Sequence, residues 1–398
     1  MKIKVAVMFG GKSTEHDISI ISAIQAINYL DRTKYDVIPV YITKDNEFYI
    51  GENIGKIESY TNITKLLGES TQVTFVREKG KANIVKLCPK MFEKKTVCSI
   101  DVILPVVHGT NVEDGTLQGF ISMLGVPYVG CDVTSSAVGM DKYVMKTLFK
   151  DNNIPVLDCV RCLSHDYFND CENSIKLIEQ KISYPVIIKP VNLGSSIGIS
   201  KASDNAELRA ALDTAFKFAD TVLAEKSIVN LKEINCSVMG DSIDAMASEC
   251  EQPISSDEIL SFNEKYLNGS KSKVKSSDNA GMASLSRKIP ADISDDTRDE
   301  IRKMAVKAFK CLSANGVIRI DFMIDQDDNK IYLNEVNTIP GSLSFYLWEP
   351  IGMPYSKLLD NIINLAFKRF RRQSELTFTF KSNVLEGIKL GGTKGSKM

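Results

Sequence analysis

The sequence has no apolar run long enough to span a bilayer, and the N-terminal stretch MKIKVAVMFGG is too short in apolar residues for a signal peptide. It also has no excess of either charge. The net charge of −1 gives no electrostatic basis for binding nucleic acid or a membrane surface. These absences predict a cytoplasmic protein that binds neither.

Paired cysteines at zinc spacing are missing as well. Nine cysteines are scattered over 398 residues, an odd number that favours reduced thiols in a cytosol. Cys159 and Cys162 form a C-x-x-C pair, but no second pair follows it. The pair lies in a predicted strand, where positions three apart face opposite sides, so a redox or zinc role is disfavoured.

A phosphate-binding P-loop is also absent. The run Gly10-Gly11-Lys12-Ser13 resembles the end of one, but the motif requires a glycine at position 6, which is alanine. Glu15 follows this turn, close to the carboxyl end of a predicted strand, where ligands of open α/β sheets bind. The alternative is that Glu15 is a first-turn helix acid favoured by the helix dipole.

The length and composition predict an ordinary globular protein of two or three domains, with 43% hydrophobic and 25% charged residues. Near residues 1–130, strands alternate with helices, which indicates an open α/β layer. The predicted strands are Lys2–Met8, Val37–Ile42 and Val102–Val107, and the predicted helices are Ser19–Leu30 and Thr116–Leu124.

A second anion-binding pattern follows a lysine at a strand exit. The apolar run 183–190 carries Lys189, and the loop after it contains Gly194, Ser195, Ser196 and Gly198. Unhindered backbone N–H groups and hydroxyls suit a polyphosphate, although flexible hairpin loops look similar. A further strand from Val222 is predicted to run on towards Glu233.

Charged residues within two apolar strands form the strongest signal. Alternation predicts strands at Val317–Ile324 and Lys330–Asn337 joined by a polar turn, with Arg319 and Asp321 on one face of the first strand. Glu335 and Asn337 share a face of the second. Carboxylates and an amide suit magnesium completed by phosphate and water. The alternative is a buried salt bridge from Arg319 to Asp321 or Glu335.

The remaining segments are a polar loop, two helices and a tail. Residues 261–290 are rich in lysine, serine and glycine, as is typical of a lid or binding loop. Apolar stripes predict helices at Ser294–Leu312 and Ser356–Arg372. Residues 374–398 are predicted to be a disordered tail.

Taken together, these motifs resemble the D-alanine–D-alanine ligase family. The fragments occur in a specific order along nearly the whole chain: Gly10-Gly11, Ser13, Glu15-His16, His108-Gly109, Glu113-Asp114-Gly115, Gln118-Gly119, Asp141-Lys142, Lys189-Pro190, Gly194-Ser195-Ser196, Gly198, Glu233-Ile234, Lys265-Tyr266, Arg319-Ile320-Asp321-Phe322, Asn334-Glu335-Val336-Asn337-Thr338 and Pro340-Gly341.

The resemblance implies an α/β, three-lobed ATP-grasp fold with an N-terminal open α/β (preATP-grasp) domain. The expected division is residues 1–130 for the N-terminal substrate-binding domain, 131–224 for the central lobe, 225–373 for the C-terminal lobe with lid and metal site, and 374–398 for the tail. It also implies a cytoplasmic homodimer that serves peptidoglycan synthesis. ATP would phosphorylate the first D-alanine to an acyl phosphate, which the amine of the second D-alanine would attack.

The resemblance assigns roles residue by residue. ATP would contact Lys142, Lys189, Ser195, Ser196, Glu225, Glu233 and Asn334. Asp321, Glu335 and Asn337 would bind Mg²⁺ or Mn²⁺, expected as two ions. Arg319 and the Gly341 N–H would stabilise the tetrahedral oxyanion. Tyr266 on the lid would hydrogen-bond towards Ser195 and Glu15, and the amino acids would contact Glu15, His108, Lys265 and Tyr346. For His108, the alternative is a histidine satisfied by backbone groups.

Three departures from the family pattern concern the substrate pockets. Val112 stands where the family usually has glycine, so that turn cannot adopt positive φ cheaply. Tyr346 stands where a serine commonly faces the second substrate's carboxylate, with Ser342 or Ser344 as possible replacements. The lid is also longer than usual. Two alternatives therefore stay open: the same mechanism with D-serine, D-lactate or another second substrate, or a non-catalytic ATP-binding regulatory protein.

Overall fold

The structure is a computed structural model that describes residues 2–194, 197–254 and 287–379. Within these residues, three β-sheets follow one another along the chain. Ser195, Ser196, Lys265 and Tyr266, most of the lid loop and most of the tail lie outside the described residues, so the roles predicted for them stay predictions.

The first sheet has seven strands in the order β6-β5-β4-β3-β2-β1-β7. The strands are β1 Ile3–Gly10, β2 Tyr35–Ile42, β3 Phe48–Ile50, β4 Thr71–Glu78, β5 Lys81–Lys86, β6 Thr96–Ile100 and β7 Val102–Pro105. β1 pairs in parallel with β2 and β7, so their carboxyl ends meet at one edge. The open α/β layer is confirmed, and this edge carries the loops that lead to Glu15 and His108.

Two antiparallel sheets follow. The second sheet has the order β10-β9-β11-β8, and the third has the order β14-β13-β12-β15-β16. Their strands are β8 Cys159–Leu163, β9 Val186–Pro190, β10 Ser200–Ala202, β11 Thr221–Lys226, β12 Leu231–Gly240, β13 Ala245–Pro253, β14 Arg287–Lys288, β15 Gly316–Asp325 and β16 Lys330–Asn337.

The segment expected to be one continuous strand towards Glu233 is divided between these sheets. β11 pairs with β8 and β9, whereas β12 pairs with β13 and β15. The expectation of one strand was wrong, because four residues, 227–230, separate the two. The expected boundary after residue 224 falls inside β11, and Glu225 belongs to the second sheet.

Ten α-helices connect and cover the sheets within the described residues. They are α1 His16–Tyr29, α2 Ile63–Gly68, α3 Thr116–Leu124, α4 Val133–Met140, α5 Lys142–Asp151, α6 Ser164–Asn169, α7 Cys171–Lys181, α8 Asn205–Ala215, α9 Asp295–Cys311 and α10 Tyr355–Ser374. In the part of the chain that the structure describes, no helix is both long and apolar enough to cross a membrane.

The last helix, α10, packs into the core of the N-terminal sheet. Its buried face, which includes Leu359 and Ile363, belongs to the same apolar cluster as β1 and β7. Asp360 accepts hydrogen bonds from Lys34 Nζ at 2.6 Å and Tyr35 Oη at 2.9 Å. The helix therefore joins the beginning and the end of the chain.

Candidate active site

Polar side chains cross the third sheet in two neighbouring rows. Antiparallel register places Glu251, Asn235, Asp321 and Glu335 opposite one another on β13, β12, β15 and β16. Ser237, Arg319 and Asn337 form the next row on the same face, because side chains two residues apart point the same way. Four of the five predicted oxyanion and metal residues therefore lie on β15 or β16 and on this face, and the fifth, Gly341, follows β16.

Arg319 pairs with Asp321 on this face. Its Nε lies 2.7 Å from Asp321 Oδ1 and its second terminal nitrogen lies 2.8 Å from Oδ2. Asn337 Nδ2 donates to Asp321 Oδ2 at 3.1 Å. The salt bridge that the sequence allowed as an alternative is therefore present, and the charge of this partly buried carboxylate is balanced by the protein.

The same residues have the chemistry that magnesium requires. Two carboxylates and an amide oxygen, from Asp321, Glu335 and Asn337, suit an ion whose octahedron is completed by phosphate and water. Residues 2–194, 197–254 and 287–379 contain no group of three or more His, Cys, Asp or Glu able to hold a metal by themselves.

Lys142 connects the metal-ligand candidates with the predicted phosphate loop. It is the first residue of α5, whose N-cap Asp141 accepts from the N–H groups of Tyr143 and Val144. The Lys142 ammonium lies 3.4 Å from Glu335 Oε2 and donates to the Leu193 carbonyl at 2.8 Å. This buried cation is placed between the acidic strand and the loop that leads to Ser195.

A second pair of lysines surrounds Glu225. Lys189 Nζ lies 2.5 Å from Glu225 Oε2, and Lys146 Nζ lies 2.9 Å from Oε1. Lys189 also donates to Asn334 Oδ1 at 3.2 Å. Burial opposes ionisation, but the two ammonium groups hold the pKa of the Glu225 carboxyl below its ordinary value, while burial lowers the pKa of Lys146. Sequence reasoning missed Lys146, although it lies one helical turn after Lys142.

Glu15 lies where the N-terminal domain meets the phosphate loop. It is the N-cap residue of α1, but its side chain makes no capping hydrogen bond. A Cβ added to Gly194 would lie 3.3 Å from Glu15 Oε2, which shows how closely that loop approaches the carboxylate. Thr110 Oγ1 donates to the Asn192 carbonyl at 2.9 Å and so joins the same two regions. Glu233 is on β12, two residues before Asn235 and on its face.

The turn around Val112 forms without a glycine there. The positive φ angles fall on Gly109, Asn111 and Gly115, at 85°, 69° and 97°. Asparagine tolerates this region well, so Val112 is spared the strain that its place in the motif suggested. Its side chain instead packs against Gly11, where an added Cβ would lie 2.4 Å from Val112 Cγ1.

His108 and Glu113 are buried where this turn meets the end of β16. The His108 ring bonds through Nδ1 to the Ile339 carbonyl at 2.8 Å and through Nε2 to Ser22 Oγ at 3.0 Å. Glu113 accepts from the N–H groups of Gly109 and Ile339, at 3.0 and 2.7 Å. Burial lowers the pKa of His108 to about 4 and raises the pKa of Glu113 to about 7. One of the two contacts of the His108 ring is to a backbone group, as its alternative predicted, and the other is to a serine hydroxyl.

Tyr346 faces the far end of the polar row. Its hydroxyl donates to Glu251 Oε1 at 3.3 Å, an oxygen that also accepts from Asn235 Nδ2 at 2.9 Å. The Arg287 guanidinium lies 3.9 Å from the Tyr346 ring centroid and 2.8 Å from Glu251 Oε2. Alternating polar residues in β12 (Glu233, Asn235 and Ser237) are the signal that could have revealed this extension of the row.

The arrangement defines a class of protein. Two antiparallel sheets meet where Lys189 of the second sheet donates to Asn334 of the third, next to the Lys142–Glu335 pair, and both follow an open α/β domain in the chain. This is the ATP-grasp architecture, in which a nucleotide is held between the two lobes.

Comparison with known proteins narrows the class to a family. Residues 4–131 match the model of the D-ala D-ala ligase N-terminus, and residues 148–364 match that of the C-terminus. The curated D-alanine–D-alanine ligase of Thermosipho africanus is 39% identical over 389 residues, covering 96% of this chain and 98% of that protein. The chain belongs to the D-alanine–D-alanine ligase family.

Solved structures agree with this assignment. The D-alanine–D-alanine ligase of Coxiella burnetii superposes with a TM-score of 0.77 at 28% identity, covering 94% of this chain and 96% of its own. The VanG D-Ala:D-Ser ligase of Enterococcus faecalis gives a TM-score of 0.76 at 31% identity, covering 92% and 100%. The expected three-lobed fold is thereby confirmed.

Proposed function

We propose that this protein joins two D-alanines to D-alanyl-D-alanine at the expense of ATP, through an acyl phosphate, in the cytoplasmic synthesis of peptidoglycan precursors. The observation that carries the proposal is a set of contacts around β16: Lys142 of α5 pairs with Glu335, and Lys189 of the second sheet donates to Asn334, beside Asp321 and Asn337. A site that holds triphosphate and metal needs both signs of charge in close, partly dehydrated contact.

Different residues of the site would bind different parts of the ATP–metal complex. Lys142 and Lys189 would bind phosphate oxygens, with Ser195 and Ser196 closing over them. Asp321, Glu335 and Asn337 would hold Mg²⁺ or Mn²⁺, which when bound neutralises the charge on the transferred phosphoryl group. Glu233 and Asn334 would surround the rest of the nucleotide. Since Glu225 is ion-paired to Lys146 and Lys189, its proposed role is to keep Lys189 in place rather than to contact adenine directly.

The acyl-transfer step would use residues next to these metal-ligand candidates. Glu15 would pair with the ammonium of the first amino acid, with Tyr266 covering it. Arg319 and the Gly341 N–H would stabilise the oxyanion once the second amine attacks. Arg319 is already held by Asp321, so its guanidinium is oriented before substrate arrives. Water excluded from the closed site could not hydrolyse the acyl phosphate.

The second amino acid's carboxylate is proposed to meet Lys265 and Ser344. Ser342 Oγ donates to Gln25 at 2.6 Å, and Tyr346 donates to Glu251. Ser344 Oγ is buried and has no hydrogen-bond partner within the described residues. A buried hydroxyl normally has a partner, so an incoming carboxylate would satisfy it. Ser344 therefore replaces the family's usual serine in this proposal.

The test measures ADP and ligated product separately, with D-alanine as donor and D-alanine, D-serine or D-lactate as acceptor. We expect D-alanyl-D-alanine to be the main product, with one ADP formed for each dipeptide. A better yield with D-serine would keep the mechanism and change the acceptor, as the name of the VanG D-Ala:D-Ser ligase states for that enzyme. Folded protein that forms no product with any acceptor would contradict the proposal and favour a regulatory role. Sedimentation of the same sample would test the homodimer implied by the family.

A further inference from the structure

A buried hydrogen-bond network holds the loop that carries Gly341. The loop, residues 338–342, leaves β16 and packs against α1 and the turn after β7. Three side chains of the N-terminal domain hold this loop by hydrogen bonds to its backbone. They bind the Ile339 N–H, the Ile339 carbonyl and the Ser342 N–H. We name these side chains, Glu113, His108 and Ser22, the loop clamp.

The network is directional. The Ile339 carbonyl can only accept, so His108 Nδ1 donates to it at 2.8 Å. Nε2 of the neutral ring must then accept the Ser22 hydroxyl proton, across 3.0 Å. Ser22 Oγ in turn accepts the Ser342 N–H at 3.0 Å. One continuous chain of hydrogen bonds thus spans from residue 342 back to residue 339, and Gly341 lies between its ends.

Glu113 fixes the other side of Ile339. Its Oε1 accepts the Ile339 N–H at 2.7 Å and the Thr338 hydroxyl at 3.2 Å, and its Oε2 accepts the Gly109 N–H at 3.0 Å. Both carboxyl oxygens accept hydrogen bonds, whereas an amide in this place would present N–H groups to one set of donors. His108, Glu113 and Ser22 are all buried, so water does not compete for these bonds.

The loop needs such support because its continuation is strained. Ser342, Leu343 and Ser344 each have a φ of 52°, in the left-handed region that non-glycine residues rarely adopt. Conformations of this kind persist where surrounding contacts over-determine them. A second bond, from Ser342 Oγ to Gln25 Oε1 at 2.6 Å, also comes from α1.

From these contacts we infer that Ser22, His108 and Glu113 are positioning residues that fix the backbone N–H of Gly341 for the oxyanion, and that His108 acts on the loop rather than on the substrate. The inference rests on the proposed function. It makes the N-terminal domain part of the oxyanion-binding site without contact to the reacting atoms. A donor displaced from the oxyanion loses its effect in the transition state while substrate binding is retained.

The test uses Ser22→Ala, with Ser135→Ala as the matched control. Ser135 is also buried, and its hydroxyl donates to the Leu312 carbonyl at 2.9 Å, away from the loop. For Ser22→Ala we expect dipeptide kcat to fall about tenfold or more, with KM for ATP and for both amino acids changed less than about threefold. Ser135→Ala is expected to keep kcat within about twofold, and Ser22→Thr, which retains a hydroxyl, to recover most of the rate.

Amide hydrogen exchange gives a readout independent of activity. Peptides covering 338–345 should exchange faster in Ser22→Ala than in the wild type and the control. Unchanged exchange there would overturn the clamp, whether or not the protein makes dipeptide. A rise in KM for the first amino acid with kcat unchanged would show that the network binds substrate instead. A wild-type protein without ligase activity would refute the proposed function alone, because the exchange result would still decide the clamp.

Discussion

At the scale of single residues, the ion pairs of Glu225 make a stability prediction. Glu225 and Lys146 are both buried, with side chains 2% exposed. Replacing Lys146 with Met leaves the carboxylate with one cation and should destabilise the fold by about 3 kcal/mol or more, because a buried charge loses compensation. The control is Lys150→Met, one turn further along α5, where the pair with Asp158 is exposed and little change in melting temperature is expected. Equal effects of the two variants on urea denaturation would contradict the buried pairing.

The second-substrate pocket gives a pair of contrasting variants. Tyr346 Oη is already bonded to Glu251, whereas Ser344 Oγ lacks a partner within the described residues. Ser344→Ala should therefore raise KM for the second D-alanine about tenfold, the effect of losing a hydrogen bond to a charged group. Tyr346→Phe should raise it less than about threefold. Steady-state kinetics with the first site saturated measure both, and the reverse order would assign the contact to Tyr346.

The buried carboxyl of Glu113 predicts a pH dependence of stability. Burial raises its pKa from 4.5 to about 7, so between these values the folded state binds more protons than the unfolded state. This contribution to the free energy of unfolding is therefore present at low pH and is lost as pH rises through 7. His108 titrates in the opposite sense, since burial lowers its pKa to about 4. A Glu113→Gln variant also contains His108, so the contribution of His108 is present in both proteins.

Comparing the wild type with Glu113→Gln isolates the contribution of Glu113 to the pH dependence of stability. The unfolding free energy of the wild type minus that of Glu113→Gln should fall by up to about 3 kcal/mol from pH 4.5 to pH 7.5. Urea denaturation at several pH values measures this difference. A difference that stays constant over the range would mean that Glu113 titrates at its ordinary pKa.

At the scale of elements, α10 should contribute strongly to the stability of the fold, whereas the residues after it should contribute little. Residues 375–379 are exposed, including Leu376 at 61% and Phe378 at 77%. Deleting residues 374–398 should change melting temperature by no more than a few degrees and leave kcat unchanged. Ile363→Ala, in the fully buried face of α10, should cost about 2–5 kcal/mol. A large loss of stability on deletion would show that the tail docks on the body.

The elements also show what the sequence can and cannot predict. Hydrophobic periodicity located α3 and β16 at their observed bounds, because each has a single buried face. Local pattern could not separate β11 from β12, since both are apolar strands and only their partners differ. Nor could it place α10 on the N-terminal sheet, because that contact depends on residues more than 300 positions apart.

The site shows the same limit. Arg319, Asp321, Glu335 and Asn337 were predictable because charge within an apolar strand is costly and needs a reason. Glu251 and Arg287 were not found, since their partners Asn235 and Tyr346 lie on other elements. The clamp could not be predicted because its bonds end on backbone atoms of Ile339 and Ser342, which carry no sequence signal.

At the scale of the whole molecule, three sheets contribute to one site. The loops of the N-terminal sheet carry Glu15 and His108, and the second sheet carries Lys189. The third sheet carries Arg319 together with Asp321, Glu335 and Asn337. Charged groups of this site are already neutralised in pairs, such as Lys142 with Glu335. Substrate and metal would exchange these partners rather than meet unpaired charges.

The measurement that tests this account most directly is Mg²⁺-dependent dipeptide synthesis by Glu335→Gln. The substitution keeps the size of the side chain and removes the charge that the proposed metal site needs. The account predicts that turnover falls by about two to three orders of magnitude, while Glu349→Gln, at an exposed position, leaves it unchanged. Turnover near that of the wild type in Glu335→Gln would contradict the metal assignment and with it the proposed mechanism.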